Sequence, residues 1–334
     1  MHSDAGELRI DEWDVARGFA LCGILAVDSW RITGLATTDE WGVILPARHV
    51  LAVVFEGRFL PIFSFLFGLG FAVLLDRAVE RSGRPRLVLA RYLIALGVLG
   101  VVVQQVQPRA ILLPHALVGL LMLLPAVTLP GWMVAVAGVV GTAGVASTFG
   151  GELALVPGVC LLGMASARFG LANVLRAGRW RIGGVFLVAL PAAVVASTWE
   201  SRTANLELWS GPTTAVAATL GALAYSTGLL LLLRSEPGQV LAEVLRPLGR
   251  MTVTNYVGGT VTIVLIAPHL KLSGSSDYAT PLGLAVGVVL GLVLVSALWL
   301  RVFAYGPLEW AWRCLTWWTV GAFWRSRKPE YRSS

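Results

Sequence analysis

The sequence has little charge, cysteine or histidine. Charged residues make up 13% of its 334 residues, and it contains three cysteines and four histidines. Cys22, Cys160 and Cys314 fall in separate apolar or interfacial segments with no paired spacing, so the sequence predicts neither a disulfide framework nor a metal site. No polar joint is long enough to form a separate soluble domain, and we expect a single domain over residues 1–334.

Apolar residues are abundant instead. They make up 56% of the chain, and the mean hydropathy is +0.75, which lies far outside the range of soluble globular proteins. Apolar runs of about 17 to 25 residues, long enough to cross a hydrocarbon core, recur about ten times. These runs predict an all-α, polytopic integral membrane protein, with segments centred on Ile24, Phe67, Leu96, Leu120, Ala137, Leu161, Ala189, Leu223, Val261 and Leu290.

The first apolar segment is interpreted as a mature helix and not as a secretory signal. It follows the acidic stretch "GELRIDEWD" where a signal would have a basic region, and no small-residue cleavage site comes after it.

Basic residues cluster after even-numbered segments, which predicts both termini in the cytoplasm. The net charge of +7 then reflects topology, and its natural partner is the anionic inner leaflet of a bacterial cell membrane, with no nucleic acid implied. We expect two five-helix halves, 15–170 and 180–320, around a central cavity, and a basic cytoplasmic tail over 321–334. The clusters are Arg77, Arg81, Arg84, Arg86 and Arg91; Arg168, Arg176, Arg179 and Arg181; Arg234, Arg246 and Arg250; and Arg325, Arg327, Lys328 and Arg332.

The first segment, "DVARGFALCGILAVDSW", keeps two charged residues inside an apolar run. Arg17 and Asp28 are eleven residues apart, so they share one helix face and lie about 16 Å apart along the axis. A charge that faces lipid costs at least about 2.5 to 3.5 kcal/mol, so we expect both to face a wet interior. The alternative is that Arg17 reaches the inner headgroups and Asp28 pairs with Arg31.

Four stretches resemble the YeiB-like family of bacterial membrane proteins. They are "DVARGFALCGILAVD", "FEGRFLPIFSFLFGLGFAVLLDRA", "PLGRMTVTNYV" and "YGPLEWAWRCLTWW", and they occur in family order from the first helix to the last. The first helix is in turn similar to that of the transmembrane acyltransferase superfamily, which includes heparan-glucosaminide acetyltransferase.

That resemblance implies acyl transfer, with acyl-CoA or a lipid as the acyl donor. In one branch of the superfamily an arginine is followed, after ten residues, by a histidine thought to act in the transfer. Arg17 stands at the arginine's position and Asp28 at the histidine's, where the YeiB-like family usually has asparagine. A buried aspartate could orient a base or accept a proton from a hydroxyl group.

Two histidines are further catalytic candidates. His115 lies in the fourth segment, where the family commonly has a tyrosine, and its alternative role is a hydrogen bond to a neighbouring helix. His49 lies in the loop after the first helix, broadly where the heparan-acetyltransferase relatives carry their catalytic histidine. The alternative for His49 is a solvated loop residue.

Substrate-binding candidates complete the expected site. In "FEGRF", Gly57 allows a tight helix entry, and Arg58 could bind a phosphate or carboxylate, although a local pair with Glu56 is an alternative. The other candidates are Arg17, Glu56, Asn255, Tyr256 and Glu309, and Glu309 could instead pair with Arg313 one turn later.

These residues predict a transmembrane acyltransferase-like protein that acts on an envelope lipid or glycan at a cavity lined by Arg17, Asp28, Arg58, His115 and Asn255. The competing hypothesis is a lipid or small-molecule transporter or binding protein without covalent chemistry, favoured by prolines within the apolar segments. Small-residue helix faces suggest a homodimer.

Overall fold

The computed structural model describes residues 4–148, 151–170, 178–203 and 211–319, and these residues form an all-helical fold. An isolated antiparallel bridge joins Thr38 to Ile44. His2 and the predicted basic tail lie outside the described residues.

Fourteen helices are described, in the following order along the chain. They are α1 (Asp4–Thr33), α2 (Pro46–Phe55), α3 (Phe59–Arg81), α4 (Pro85–Gln104), α5 (Leu112–Val118), α6 (Leu124–Ala126), α7 (Gly131–Thr148), α8 (Val156–Arg168), α9 (Arg179–Thr203), α10 (Pro212–Leu232), α11 (Glu236–Arg250), α12 (Thr252–Leu270), α13 (Ala279–Val302) and α14 (Pro307–Trp317). A π-helical turn, Gly119–Leu123, joins α5 to α6, and a 3₁₀ turn, Leu153–Leu155, precedes α8.

Six helical runs of the described chain are long and apolar enough to cross a membrane. Three shorter apolar helical runs, Leu112–Ala126, Gly131–Gly144 and Leu153–Arg168, accompany them. All ten predicted segments coincide with helices, while the count of ten spans and the cytoplasmic termini stay predictions. The six long runs are Pro46–Arg81, Pro85–Gln104, Arg179–Ser201, Pro212–Leu232, Thr252–Leu270 and Ala279–Val302.

Large apolar side chains cover much of the outer surface of the bundle. Leu290 and Leu294 of α13 are each 61% exposed, and Leu121 and Leu187 are exposed to a greater extent. A soluble protein rarely presents so much contiguous apolar surface, so this belt is consistent with contact with lipid tails. The fold is consistent with a polytopic membrane protein.

Glycines allow α3 and α8 to pack with their backbones in contact. A β-carbon at Gly68 would overlap the carbonyl oxygen of Cys160, and one at Gly163 would overlap that of Phe65. Gly68 and Gly163 therefore permit the close packing of these two helices. Small residues at such crossings are the usual means by which membrane helices gain packing energy.

Helix α1 lies at the centre of the bundle, where it packs against α3, α11, α12 and α13. Helices α1, α4 and α12 end on the side of the bundle where α3, α10 and α13 begin. The ends of α1, α4 and α12 and the start of α3 carry the polar groups described below.

Candidate functional site

A cavity of about 1180 Å³ opens where α1, α4 and α12 end. Much of its wall is apolar, the buried carboxylates of Asp28 and Glu56 also line it, and the exposed cations Arg109 and Lys271 lie at its rim. The apolar wall includes Ile24, Val27, Phe59, Leu60, Ile111 and Val264, and the charged lining residues are Asp28, Arg31, Arg48, Glu56, Arg109, Glu152 and Lys271.

Glu56 lies at the centre of an ionic network in this cavity. Its carboxylate accepts hydrogen bonds from Trp30 Nε1 at 3.3 Å and from Arg48 Nη2 at 2.9 Å. Arg31 Nε lies 3.6 Å from Glu56 Oε1, and Arg31 Nη1 lies 2.8 Å from Glu152 Oε1. Arg31 thus bridges two carboxylates that come from distant parts of the chain.

Gly57 turns the chain between α2 and α3. Its φ of +74° lies in the left-handed region that favours glycine, as the sequence suggested for a tight helix entry. The turn leaves Glu56 at the cavity, while Arg58 points to the opposite side of the α2–α3 junction, toward α9.

Asp28 lies in the cavity wall and is 5% exposed. Its Oδ1 accepts a hydrogen bond from Gln107 Nε2 at 3.0 Å, while the backbone N–H of Arg109 donates to Gln107 Oε1 at 2.7 Å. Asp28 Oδ2 is buried and has no hydrogen-bond partner among the described residues. The alternative pair between Asp28 and Arg31 does not form a direct contact.

Arg109 and Lys271 line the rim, and both are exposed. Neither side chain forms an ion pair with any described residue. Lys271 ends α12 in a left-handed conformation with φ of 50°. These two cations differ from Arg31 and Arg48, whose charges are balanced by Glu56 and Glu152.

Arg17 lies outside both described cavities. Its Nη1 lies 3.3 Å from Asp14 Oδ1, one turn earlier on α1. The predicted shared cavity of Arg17 and Asp28 is therefore not found among the described cavities, although the two residues belong to one helix.

Arg58 is 2% exposed and forms a buried ion pair. Its Nη2 lies 2.8 Å from Glu200 Oε2 and 3.0 Å from Ser197 Oγ, both in α9, and its Nη1 donates to the carbonyl oxygen of Glu56 at 2.7 Å. The alternative local pair between the side chains of Glu56 and Arg58 is not observed, because the Arg58 side chain pairs with Glu200 instead. Arg58 and His49 line a second pocket of about 330 Å³ between α2, α9 and α10.

His115 is fully enclosed and does not line either cavity. Its Nδ1 is 2.7 Å from the carbonyl oxygen of Ile111, and its Nε2 is 3.0 Å from Ser64 Oγ. A carbonyl oxygen only accepts hydrogen bonds, so Nδ1 carries a proton. The Ser64 hydroxyl itself donates to the carbonyl oxygen of Leu60 at 2.8 Å. Phe63 and Phe67 contact the ring edge-on, which gives His115 a packing role between helices.

Asn255 and Tyr256 join helices in the buried core. Asn255 Nδ2 donates to the carbonyl oxygen of Leu248 at 3.0 Å, and the Ser296 hydroxyl donates to Asn255 Oδ1 at 3.1 Å. The Tyr256 hydroxyl accepts from the backbone N–H of Ile111 at 3.1 Å. These bonds supply polar partners that lipid could not provide, and neither residue lines a described cavity.

Glu309 caps the first turn of α12. Its Oε1 accepts from the backbone N–H groups of Val253 and Thr254 at 2.8 and 3.0 Å, and its Oε2 accepts from Thr254 Oγ1 at 2.5 Å. A carboxylate satisfies unpaired N–H groups and complements the helix dipole at this position. Arg313 lies over the ring of Tyr305 and does not form the predicted ion pair with Glu309.

The structure therefore brings Asp28 and Glu56 together from the predicted set, and it places Arg58 and His49 at the second pocket. The sequence reasoning missed five polar residues of the large cavity. Gln107, Arg109 and Lys271 follow helix ends at the predicted outer face, which is a signal that could have selected them. Arg48 and Glu152 carry no local signal of that kind.

Comparisons with known proteins agree with the resemblance of the sequence to the YeiB-like family. Residues 166–319 match a family described as a protein of unknown function, DUF418. An uncharacterized 39.9 kDa protein from Bacillus acidopullulyticus is 29% identical over 334 residues, which cover 92% of this chain and 94% of that protein.

Two shorter matches point to the same group. The uncharacterized protein YeiB of Escherichia coli K12 is 41% identical over 68 residues, or 20% of this chain and 18% of YeiB. The uncharacterized protein YxaH of Bacillus subtilis 168 is 32% identical over 94 residues, or 28% of this chain and 23% of YxaH. No solved structure matches the chain.

Proposed function

Because the chain belongs to the YeiB-like family, whose matched relatives are uncharacterized, we propose its function from the cavity itself: the protein binds an acidic amphiphile of the cell envelope. The observation that carries this proposal is an apolar wall beside two rim cations, Arg109 and Lys271, that form no ion pair with any residue the structure describes.

The apolar wall favours a ligand with a hydrocarbon part. Leu60 and Val264 belong to helical runs that are long and apolar enough to cross a membrane, and Ile24 and Val27 belong to the central helix α1, so an acyl chain placed against them lies within the bundle. Sites for small molecules are generally apolar with a few placed polar groups, and this cavity has that composition.

The rim favours an acidic headgroup. The carboxylates of Glu56 and Glu152 already contact Arg31 and Arg48, whereas Arg109 and Lys271 lack such partners among the described residues. A phosphate or carboxylate at the rim gains charge-assisted hydrogen bonds from both cations.

The predicted topology places this rim at the outer face of the bacterial inner membrane. With both termini in the cytoplasm, α1 ends on the outer side, and the cavity opens beside the outer leaflet. The predicted homodimer is part of the same proposal.

We expect the double variant Arg109→Gln/Lys271→Gln to lose the acidic lipid that copurifies with the protein. At about 1 kcal/mol for each cation near a lipid headgroup, the ratio of acidic to neutral bound lipid should fall about 30-fold. The measurement is mass spectrometry of lipids extracted from protein purified without added lipid. The matched control is Arg84→Gln/Arg86→Gln, which removes two exposed arginines at the opposite end. An unchanged ratio in the rim variant would refute the proposed binding site.

Acyl transfer is a second candidate, favoured by the unpartnered Oδ2 of Asp28 in the cavity wall. In this reaction the hydroxyl oxygen of an acceptor molecule attacks the ester carbonyl carbon of a lipid donor, and Asp28 takes the proton of that hydroxyl group. The donor C–O bond then breaks, and Asp28 returns the proton to the leaving alkoxide. Asp28 has this role alone because neither His49 nor His115 lines the large cavity.

The acyl-transfer candidate predicts that labelled acyl groups move from a lipid donor to envelope hydroxyl compounds in the presence of the purified protein. Asp28→Asn should lower the transfer rate by about 100-fold or more, the usual contribution of a general base. If the wild-type protein transfers no label, the binding function stands without the chemistry.

A further inference from the structure

We infer that the acidic ligand carries a free hydroxyl group that donates a hydrogen bond to Asp28, which makes it a polyol-bearing phosphodiester lipid. This inference rests on the proposed binding function and names the headgroup class. The two features that carry it are the hydrogen bonding of Asp28 and the charge balance of the cavity.

The hydrogen bonding of Asp28 requires a donor. A buried carboxylate oxygen without a partner is costly, because the carboxylate has lost its water and gained nothing in exchange. Gln107 holds the other oxygen, and its own carbonyl is fixed by the backbone N–H of Arg109. Asp28 is therefore held in place at the cavity, and its Oδ2, which has no hydrogen-bond partner among the described residues, is the acceptor in the inferred contact.

The charge balance decides between a hydroxyl and an ammonium donor. The described lining contains four cations and three carboxylates: Arg31, Arg48, Arg109 and Lys271, and Asp28, Glu56 and Glu152. With every group ionised, the cavity carries one excess positive charge. A singly charged phosphodiester with hydroxyl groups neutralises it, whereas a zwitterionic headgroup with an ammonium leaves it unbalanced.

The chain places the two binding elements next to each other. Arg109 follows Gln107 by two residues and is bonded to it, so the cation for the phosphate and the support of the hydroxyl acceptor belong to one short segment. One compact headgroup can therefore contact both. A glycerol phosphodiester, with one negative charge and two hydroxyls, satisfies these requirements.

The test compares two acidic lipids whose headgroups differ only in the hydroxyl groups, together with a zwitterionic lipid as a reference. Delipidated full-length protein in detergent is titrated with phosphatidylglycerol, with phosphatidylpropanol of the same acyl chains and with phosphatidylcholine, and bound lipid is counted by native mass spectrometry. We expect phosphatidylglycerol to bind about tenfold or more tightly than phosphatidylpropanol, the effect of one hydrogen bond to a charged group. Phosphatidylcholine should bind more weakly than either acidic lipid.

Two variants assign this preference to the inferred contact. Asp28→Ala should bind both acidic lipids with equal affinity and still prefer them to phosphatidylcholine. Gln107→Leu, which leaves the carboxylate in place but removes its support, should reduce the preference for phosphatidylglycerol, and it serves as the test if the aspartate variant does not fold.

The outcomes separate the inference from the proposed function. Equal binding of phosphatidylglycerol and phosphatidylpropanol by the wild type would overturn the hydroxyl inference and leave acidic-lipid binding intact. Equal binding of all three lipids would overturn the proposed function itself.

Discussion

Replacing Arg58 with alanine is expected to lower the free energy of unfolding by about 3 to 5 kcal/mol, because it removes the cation from a buried ion pair. Glu200 is completely buried, and the Arg58 guanidinium lies 2.8 Å from its carboxylate. The same change also removes the hydrogen bonds to Ser197 and to the carbonyl oxygen of Glu56. Chemical unfolding in mixed micelles, followed by far-UV circular dichroism, measures the loss.

Two further variants serve as controls for this prediction. Arg301→Ala removes an exposed arginine from α13 and should change stability by less than about 0.5 kcal/mol. Arg58→Met/Glu200→Leu replaces the pair with apolar side chains of similar size and should recover most of the lost stability. If Arg58→Ala were as stable as Arg301→Ala, the buried ion pair would not be part of the fold.

Gly163→Ala should also destabilise the protein strongly, by about 3 kcal/mol, because the added methyl group overlaps the backbone of α3. Its β-carbon would meet the carbonyl oxygen of Phe65 and the backbone nitrogen of Leu69. Neither atom belongs to a flexible side chain, so α3 and α8 would have to separate. The same unfolding measurement applies.

The matched control is Gly291→Ala in α13, where a β-carbon would have no atom within 4 Å. There the substitution should be neutral or stabilise the helix by up to about 1 kcal/mol, since alanine favours helix more than glycine does. Equal effects at the two positions would mean that α3 and α8 do not pack through their backbones.

The helices could be predicted from the sequence because their signal is local. Each apolar segment is long enough to identify without knowledge of its neighbours, and all ten coincide with helices of the described chain. The tight turn at Gly57 is also local in origin, since it follows from the absence of a side chain at one residue.

The partners of buried polar residues could not be predicted in the same way. Arg58 contacts Glu200, which lies 142 residues further along the chain, and the turn at Gly57 directs it away from Glu56. Glu309 caps a helix whose first residues lie more than 50 positions earlier. In both cases a polar residue in an apolar chain is easy to find, but its partner is set by helix packing.

In the large cavity, too, some residues could be identified from the sequence alone and others only from the packing of the helices. Asp28 was identifiable as a carboxylate in an apolar helix, and Glu56 as part of a polar motif at a helix entry. Gln107, Glu152 and Lys271 lie at the ends of other elements, and only the bundle brings them to one cavity. Sequence spacing therefore located two members of the site, and tertiary packing supplied the rest.

Photocrosslinking of an acidic lipid tests most directly whether the large cavity holds the ligand. Phosphatidylglycerol with a diazirine in its acyl chain is added to the protein in nanodiscs, and the crosslinked residues are identified by mass spectrometry. The account predicts adducts on the cavity wall, at Val27, Leu60 and Val264. Adducts confined to lipid-facing residues such as Leu290 and Leu294, with none on the cavity wall, would contradict it.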